Sequence, residues 1–292
     1  MREWLSALAC ANYILYDAST GRFHLPAEHV PSLVEAGGPF SLGGWYPLVI
    51  AQLGVLNSVI QAFRQGGGVS YTAYSPDLWE GEARISARMY DQLLLQEWFP
   101  LLPEVAARLT EGVEVADLGC GQGKGLINLA QAFPASRYTG YDVSELVITQ
   151  ARQATEAAGV AERVTFVHQP IAGALPAIYD VIMTFNVVHH AAYPVQFLRS
   201  IRQSLRPGGI YLCLDLEGVE HLDVSMGQSG VCSYGESVLF CMTTALASGE
   251  EALGSLGLSE ARLRTFCQQA GFGAVRRVPL ERPGLHLYVI RT

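Results

Sequence analysis

The sequence predicts an α/β fold: a mostly parallel sheet with helices on both faces, preceded by a smaller, mainly helical region. Three observations carry this. From residue 114 onward, short apolar runs alternate with helix-length amphipathic segments. The first of these runs ends in a glycine-rich loop that opens a helix. With 292 residues, half of them hydrophobic, the chain can fill one large core and an accessory unit.

The elements follow in order. Residues 113–118 read as a buried strand and 124–133 as a helix. Residues 138–141 are the second strand, and Ser144 stands where it can cap a helix running to 158. Residues 164–167 and 181–186 are the third and fourth strands. A helix over 194–205 and the turn Pro207-Gly-Gly209 lead into a fifth strand, 210–216. Residues 217–257, rich in Gly, Ser, Met and Cys, break the rhythm and are expected to cap the carboxyl edge of the sheet. A helix over 259–270, the turn Gly271-Phe-Gly273 and strands near Val275 and over 287–290 close the domain, which spans 111–292.

Residues 1–68 form the N-terminal unit. A helix over 2–11 precedes short strands at 13–16 and 22–25, joined by the turn Asp17-Ala-Ser-Thr-Gly21. A helix running into a hairpin is the second half of a winged helix; the helices that would precede it are not in the sequence. Residues 30–65 are mostly helical. The apolar stretch 45–63 contains Pro47, Gln52, Gly54, Asn57, Ser58 and Gln61. That composition suits a buried helix at a dimer contact, not a membrane span, which needs about 20 predominantly apolar residues. Residues 69–110 connect the units. Gly66-Gly-Gly68 acts as a joint, 69–74 as a loop or lid, and 85–109 as a helical stretch broken near Pro100 and Pro103.

Lys and Arg number 19 against 27 Asp and Glu, a net charge of −8, so the chain repels phosphate backbones and nucleic acid is an unfavoured partner. Only Arg22 adds positive charge beside the hairpin turn. The six cysteines show no C-x-x-C pair and no zinc spacing, so no metal site is expected. With no signal-peptide pattern, they read as reduced thiols of a cytoplasmic protein.

The chemistry concentrates in Asp117-Leu-Gly-Cys-Gly-Gln-Gly123. Glycines at 119, 121 and 123 let a ligand approach the backbone, and amides at the start of the next helix attract an anionic group. The dinucleotide phase G-x-G-x-x-G fails, because the sixth position from Gly119 is Lys124 and from Gly121 is Leu126. The P-loop pattern fails because Gly125 follows Lys124. Asp142 ends the second strand about 20 residues on, where an acid can receive ribose hydroxyls.

These residues resemble motif I of the class I S-adenosylmethionine-dependent methyltransferases, and Asp142 matches their ribose-binding acid. Tyr179-Asp-Val-Ile-Met-Thr-Phe-Asn186 with Val-Val-His-His190 resembles the family's fourth strand, and Leu205-Arg-Pro-Gly-Gly209 the turn before its fifth. The resemblance covers about residues 114–216. It implies a Rossmann-like sheet of seven, mostly parallel strands and S-adenosyl-L-methionine as cofactor. Gly119, Gly121 and the Cys120 backbone would lie against the methionine moiety, with Asp117 orienting its ammonium and Gly123 also in the cofactor-binding loop. Val143 would pack on the adenine, Gln169 would stand near the adenine amino group, and Asn186 would join the cofactor site. The N-terminal unit resembles a bacterial subgroup in which a winged-helix-like unit mediates dimerisation, which implies a homodimer.

His189 and His190 follow the fourth strand at the edge where ligands bind. Either is placed to serve as a general base, or to pack beneath the cofactor, with His189 the better candidate for cofactor contact. Tyr71, Tyr74, His221 and Tyr234 are candidate acceptor contacts. The expected reaction is methyl transfer to an O, N or C atom of a small, partly apolar molecule. The alternative is a winged-helix regulator that senses a ligand through a methyltransferase-like domain.

Overall fold

The computed structural model describes the chain except residues 35–37, 39–40, 170–174, 250 and 282–283. The chain opens with α1 (Arg2–Cys10) and an antiparallel hairpin of β1 (Leu15–Asp17) and β2 (Arg22–His24). Asp17 closes the hairpin turn. Its carboxylate accepts from the Thr20 hydroxyl at 2.6 Å and the Ser19 hydroxyl at 2.7 Å, which helps hold its pKa at about 2. The tip is therefore acidic, as unsuited to phosphate as the chain's net charge.

Five helices follow: α2 (Val30–Leu33), α3 (Trp45–Gly54), α4 (Leu56–Gln65), α5 (Asp77–Met89) and α6 (Pro103–Glu111). The buried helix expected over 45–63 is instead the pair α3 and α4, bent by 50°. Leu48, Ala51, Val55 and Val59 face inward, while Ile50, Leu53 and Phe63 are exposed. The run is apolar around the helix, and at 3.6 residues per turn only one stripe can meet a neighbour within the chain. Among the described residues no single helix is long and apolar enough to cross a membrane.

The helix expected from residue 85 starts earlier, at Asp77, with Asp77 and Glu80 placing negative charge in its first turn. It passes directly into a π-helical stretch, Tyr90–Trp98, and a 3-10 turn, Phe99–Leu101.

The large sheet comprises β3 (Glu114–Leu118), β4 (Arg137–Asp142), β5 (Val164–His168), β6 (Tyr179–Phe185), β7 (Leu205–Leu216), β8 (Ala274–Val278) and β9 (Leu285–Arg291). Their order is β5-β4-β3-β6-β7-β9-β8, parallel from β5 through β7 and antiparallel at β9 and β8. β7 begins before the predicted turn: Tyr179 pairs with Leu205 and Val181 with Ile210, so Pro207-Gly-Gly209 bulges out of a continuing strand.

Around the sheet lie α7 (Lys124–Ala132), α8 (Glu145–Ala157), α9 (Pro194–Gln203) and α12 (Glu260–Ala270). Ser144 precedes α8 but makes no side-chain cap; its own N–H donates to Asp142 Oδ1 at 2.9 Å. One core packs Leu94, Trp98, Leu126, Phe166 and Leu212 on one face of the sheet, and a second packs Tyr141, Ile182, Leu198 and Tyr211 on the other. A fully buried leucine of this kind contributes roughly 1.5–3 kcal/mol relative to exposure.

Residues 217–257 form a helical cap, α10 (Gln228–Leu239) and α11 (Cys241–Ser248). A third cluster of Leu48, Val59, Leu78 and Phe240 joins it to α3, α4 and α5. Segment 69–74 is tied down, not loose: Val69 N–H donates to Thr243 O and Oγ1, each at 3.0 Å, and the Tyr74 hydroxyl donates to Leu239 O at 2.6 Å.

Candidate active site

The strand order reverses at β3, which lies between β4 and β6. Ligands of open α/β sheets bind in the crevice at the carboxyl ends of the strands at such a switch point. Here a cavity of about 430 Å³ opens there. The loop after β3 contributes Gly119, Cys120 and Gly121, and the end of β4 contributes Asp142 and Val143. Beyond β6 come Asn186 and His190; Tyr71, Trp79 and Phe240 wall the far side.

The glycine loop divides its labour. Gly121 has φ +53 and open space where a side chain would stand, so its backbone can be approached closely. Gly123 lies outside the cavity: with φ +76, a Cβ there would sit 2.3 Å from Phe166 Cζ. Its glycine is needed to seat α7 against the sheet, and among the loop glycines expected at the cofactor it is the one that does not line the cavity.

Asp142 Oδ2 accepts from Gly121 N–H at 3.0 Å and Oδ1 from Ser144 N–H. Each oxygen keeps acceptor capacity for a hydroxyl donor. Burial raises the pKa of Asp142, while these backbone bonds favour its charged form. Asp117 lies behind the loop, only 2% exposed, and does not line the cavity. Its Oδ1 has no hydrogen-bond partner, and burial, with Asp142 nearby, pushes its pKa up to about 7. Asn186 is held at φ +57, rare for a residue with a side chain, and its Oδ1 is also buried and unpartnered. An open glycine backbone, two orphaned acceptor oxygens and a carboxylate at the strand end form a donor and acceptor set that fits S-adenosylmethionine. Gln169 donates its N–H to Asp142 O at 2.9 Å but is not in the cavity wall.

The two histidines separate in role. His189 is 2% exposed and sits behind the wall, its Nδ1 2.5 Å from Asp215 Oδ1. Burial opposes charge on this ring, but the Asp215 carboxylate more than offsets it, so its pKa lies well above the usual range. His190 faces the cavity, with Nδ1 3.1 Å from the Tyr71 hydroxyl. Burial, reinforced by the charge on His189, holds its pKa well below the usual range. The expectation that His189 makes the cofactor-side contact is thus reversed: the ring that faces the cavity is neutral His190.

The acceptor candidates also sort. Tyr71 lines the cavity; Tyr74 is buried behind it, anchoring the cap. His221 precedes a 3-10 turn and Tyr234 stands 38% exposed with its hydroxyl 3.4 Å from Ser225 Oγ, and neither lines the cavity. Sequence reasoning missed Trp79, Glu82 and Met89, which share the cavity-facing side of α5. Their spacing of three and seven is a helical stripe, legible only once the helix is started at Asp77.

The fold also gathers residues that sequence spacing kept apart. Among the described residues, ligand-type atoms of His189, His190 and Cys241 lie within 4.8 Å of one another. Asp215 occupies one nitrogen of His189, Tyr71 bonds His190, and Cys241 Sγ accepts from Ser255 Oγ at 3.1 Å. All six cysteines are free.

Comparison with known proteins agrees with this geometry. A methyltransferase-domain family profile matches residues 116–211. A ubiquinone biosynthesis O-methyltransferase of Roseobacter denitrificans is 31% identical over 106 residues, which is 36% of this chain and 42% of that protein. The chain thus spans less than half the length of that curated relative. Among solved structures, a mitomycin 7-O-methyltransferase superposes with a TM-score of 0.72 at 19% identity, covering 99% of this chain and 82% of that one. An O-methyltransferase from neocarzinostatin biosynthesis, crystallised with S-adenosyl-L-homocysteine and 1,4-dihydroxy-2-naphthoic acid, gives 0.68 at 19% identity, covering 99% and 83%. The sheet order, the loop geometry and the profile agree on a methyltransferase domain of the class I, S-adenosylmethionine-dependent kind over residues 116–211.

Proposed function

We propose that the protein transfers the methyl group of S-adenosyl-L-methionine to a hydroxyl oxygen of a small aromatic acceptor. The observation that carries this is His190: a neutral imidazole in the wall of a cavity that reaches the glycine loop, among aromatic side chains. Tyr71 and Trp79 stack at 5.8 Å, and Phe240 meets Tyr71 edge-on at 5.7 Å and His190 at 5.1 Å. Such walls favour a flat, partly apolar molecule. The relatives and structural neighbours named as O-methyltransferases support an oxygen acceptor.

Bound S-adenosylmethionine supplies an electrophilic methyl, taken in line by a nucleophile with a thioether leaving. The chain's own residues set the geometry and receive the proton. Asp142 would receive the ribose hydroxyls and Asn186 a donor of the methionine end, while Asp117 would act from behind the glycine loop. The aromatic wall holds the acceptor ring and keeps water out. His190, uncharged at neutral pH and held by Tyr71 at Nδ1, takes the hydroxyl proton at Nε2. His189, locked on Asp215, packs against His190 with ring centroids 4.1 Å apart and fixes its position.

Incubation with methyl-labelled S-adenosylmethionine and a pool of phenolic metabolites tests the reading. The wild type should yield labelled methyl ethers. His190→Ala should lower kcat by about 10²–10⁴-fold, the usual contribution of a general base. Its affinity for S-adenosylhomocysteine should stay unchanged. An undiminished His190→Ala rate would remove the base role, and labelled N- or C-methyl products would remove the oxygen acceptor.

The protein acts as a homodimer in this reading, joined through the N-terminal region. The uncovered apolar stripe of α3 and α4 supports it, since large exposed apolar patches mark association surfaces. The regulator alternative has no comparable support, because the hairpin tip is acidic.

A further inference from the structure

Among the described residues two acidic side chains line the cavity, Glu82 and Asp142, and no Lys or Arg does. Asp142 stands at the glycine-loop end, with both carboxylate oxygens on backbone N–H groups. Glu82 projects from α5, and among the described residues no side chain hydrogen-bonds its carboxylate. Burial, with Glu236 nearby, pushes its pKa up to about 7, against the opposing pull of the charged His189. A half-buried carboxyl with no cation hydrogen-bonded to it is costly to charge, and the cost is offset when a cation comes to it.

Its surroundings suit one class of cation. Trp79 lies three residues before Glu82 on the same face of α5, stacked on Tyr71 with ring planes 19° apart. A carboxylate beside aromatic faces receives an organic ammonium through charge-assisted hydrogen bonds and the attraction of a cation to ring faces. An acceptor carrying a carboxylate would meet like charge, with no guanidinium or ammonium among the described wall residues to hold it.

We propose that Glu82 is a specificity-determining residue that binds an amine on the acceptor, so that the substrate class is amine-bearing phenols and not phenolic carboxylic acids. This rests on the aromatic-acceptor reading above. It adds a second point of attachment in the cavity wall, on α5. The amine fixes which hydroxyl reaches the methyl donor, and its replacement by an acid is rejected by repulsion as well as by lost attraction.

Calorimetry on the protein saturated with S-adenosylhomocysteine tests this with matched probes. One pair is tyramine and 4-hydroxyphenylacetate; the other is serotonin and 5-hydroxyindole-3-acetate. In at least one pair the amine should bind about tenfold or more tighter than the acid, the range expected for one desolvated charge contact. Glu82→Gln should bring the two members within about threefold while leaving S-adenosylhomocysteine affinity intact, which also shows that the variant folds. Equal binding of amine and acid, binding of neither amine, or a preference that survives Glu82→Gln would overturn the proposal. Because methyl transfer is not read, amine-selective binding without turnover would overturn the proposed reaction and leave this assignment standing.

Discussion

Asp142 shows how one side chain ties loop to strand end. Its two oxygens hold Gly121 and Ser144, so it orders the glycine loop against the end of β4. Asp142→Ala should weaken S-adenosylhomocysteine binding by about 10–100-fold, the loss of hydrogen bonds to a charged acceptor, read by calorimetry. Asp117 makes a different prediction, in stability. Its folded pKa, about 7, lies above the ordinary carboxylate value because it is buried beside Asp142. Folding therefore favours its protonated form, and the ligand-free protein loses stability as pH rises through the window from about 4 to about 7. Asp117→Asn removes that component. Chemical denaturation at pH 5 and pH 8 should show the wild type losing on the order of 2–4 kcal/mol more than the variant between the two. A variant that loses as much as the wild type would mean that Asp117 is ionised throughout.

At the scale of elements, local rules were sufficient where packing agreed with them. The parallel strands carry continuous apolar runs because both of their faces are covered, and they fall within a few residues of expectation. Ser259 caps α12 as its sequence position suggests, accepting from Arg262 N–H at 3.2 Å. Ser259→Ala should cost about 1 kcal/mol, seen as a lowered midpoint in thermal or urea unfolding. Ser144 makes no side-chain cap on α8, and the segment is held instead by its own N–H donating to Asp142 Oδ1. The stretch 45–63 failed as a single buried helix because an all-round apolar sequence does not say which stripe its own chain will cover. The Asp77 start of α5 was missed because the helix continues as a π-helix at Tyr90, a stretch whose side-chain period departs from 3.6. That miss hid Trp79 and Glu82.

For the whole molecule, the exposed stripe of α3 and α4 is the feature a single chain leaves unresolved. Ile50 is 62% and Phe63 73% exposed, beside Leu53 and Tyr46. Sedimentation should find the wild type dimeric, and Ile50→Asp with Phe63→Asp monomeric with unchanged S-adenosylhomocysteine affinity. A monomeric wild type would remove the dimer from the proposed function. The same helices also support the cap through Leu48, Val59 and Phe240.

Sequence alone settled the sheet, the loop and the kind of cofactor, because each is encoded locally: strand and helix periods, a glycine phase over seven residues, and an acid at the end of the next strand. The acceptor end was not encoded in that way. Adjacent in the chain, His189 and His190 are equivalent on paper; Asp215 from β7 turns one inward, and Tyr71 from the linker holds the other in the cavity wall. Glu82 becomes a site residue only when α5 is laid across the carboxyl edge and Phe240 closes the cap over it. Those meetings depend on which distant surfaces pack together, and no local spacing states that.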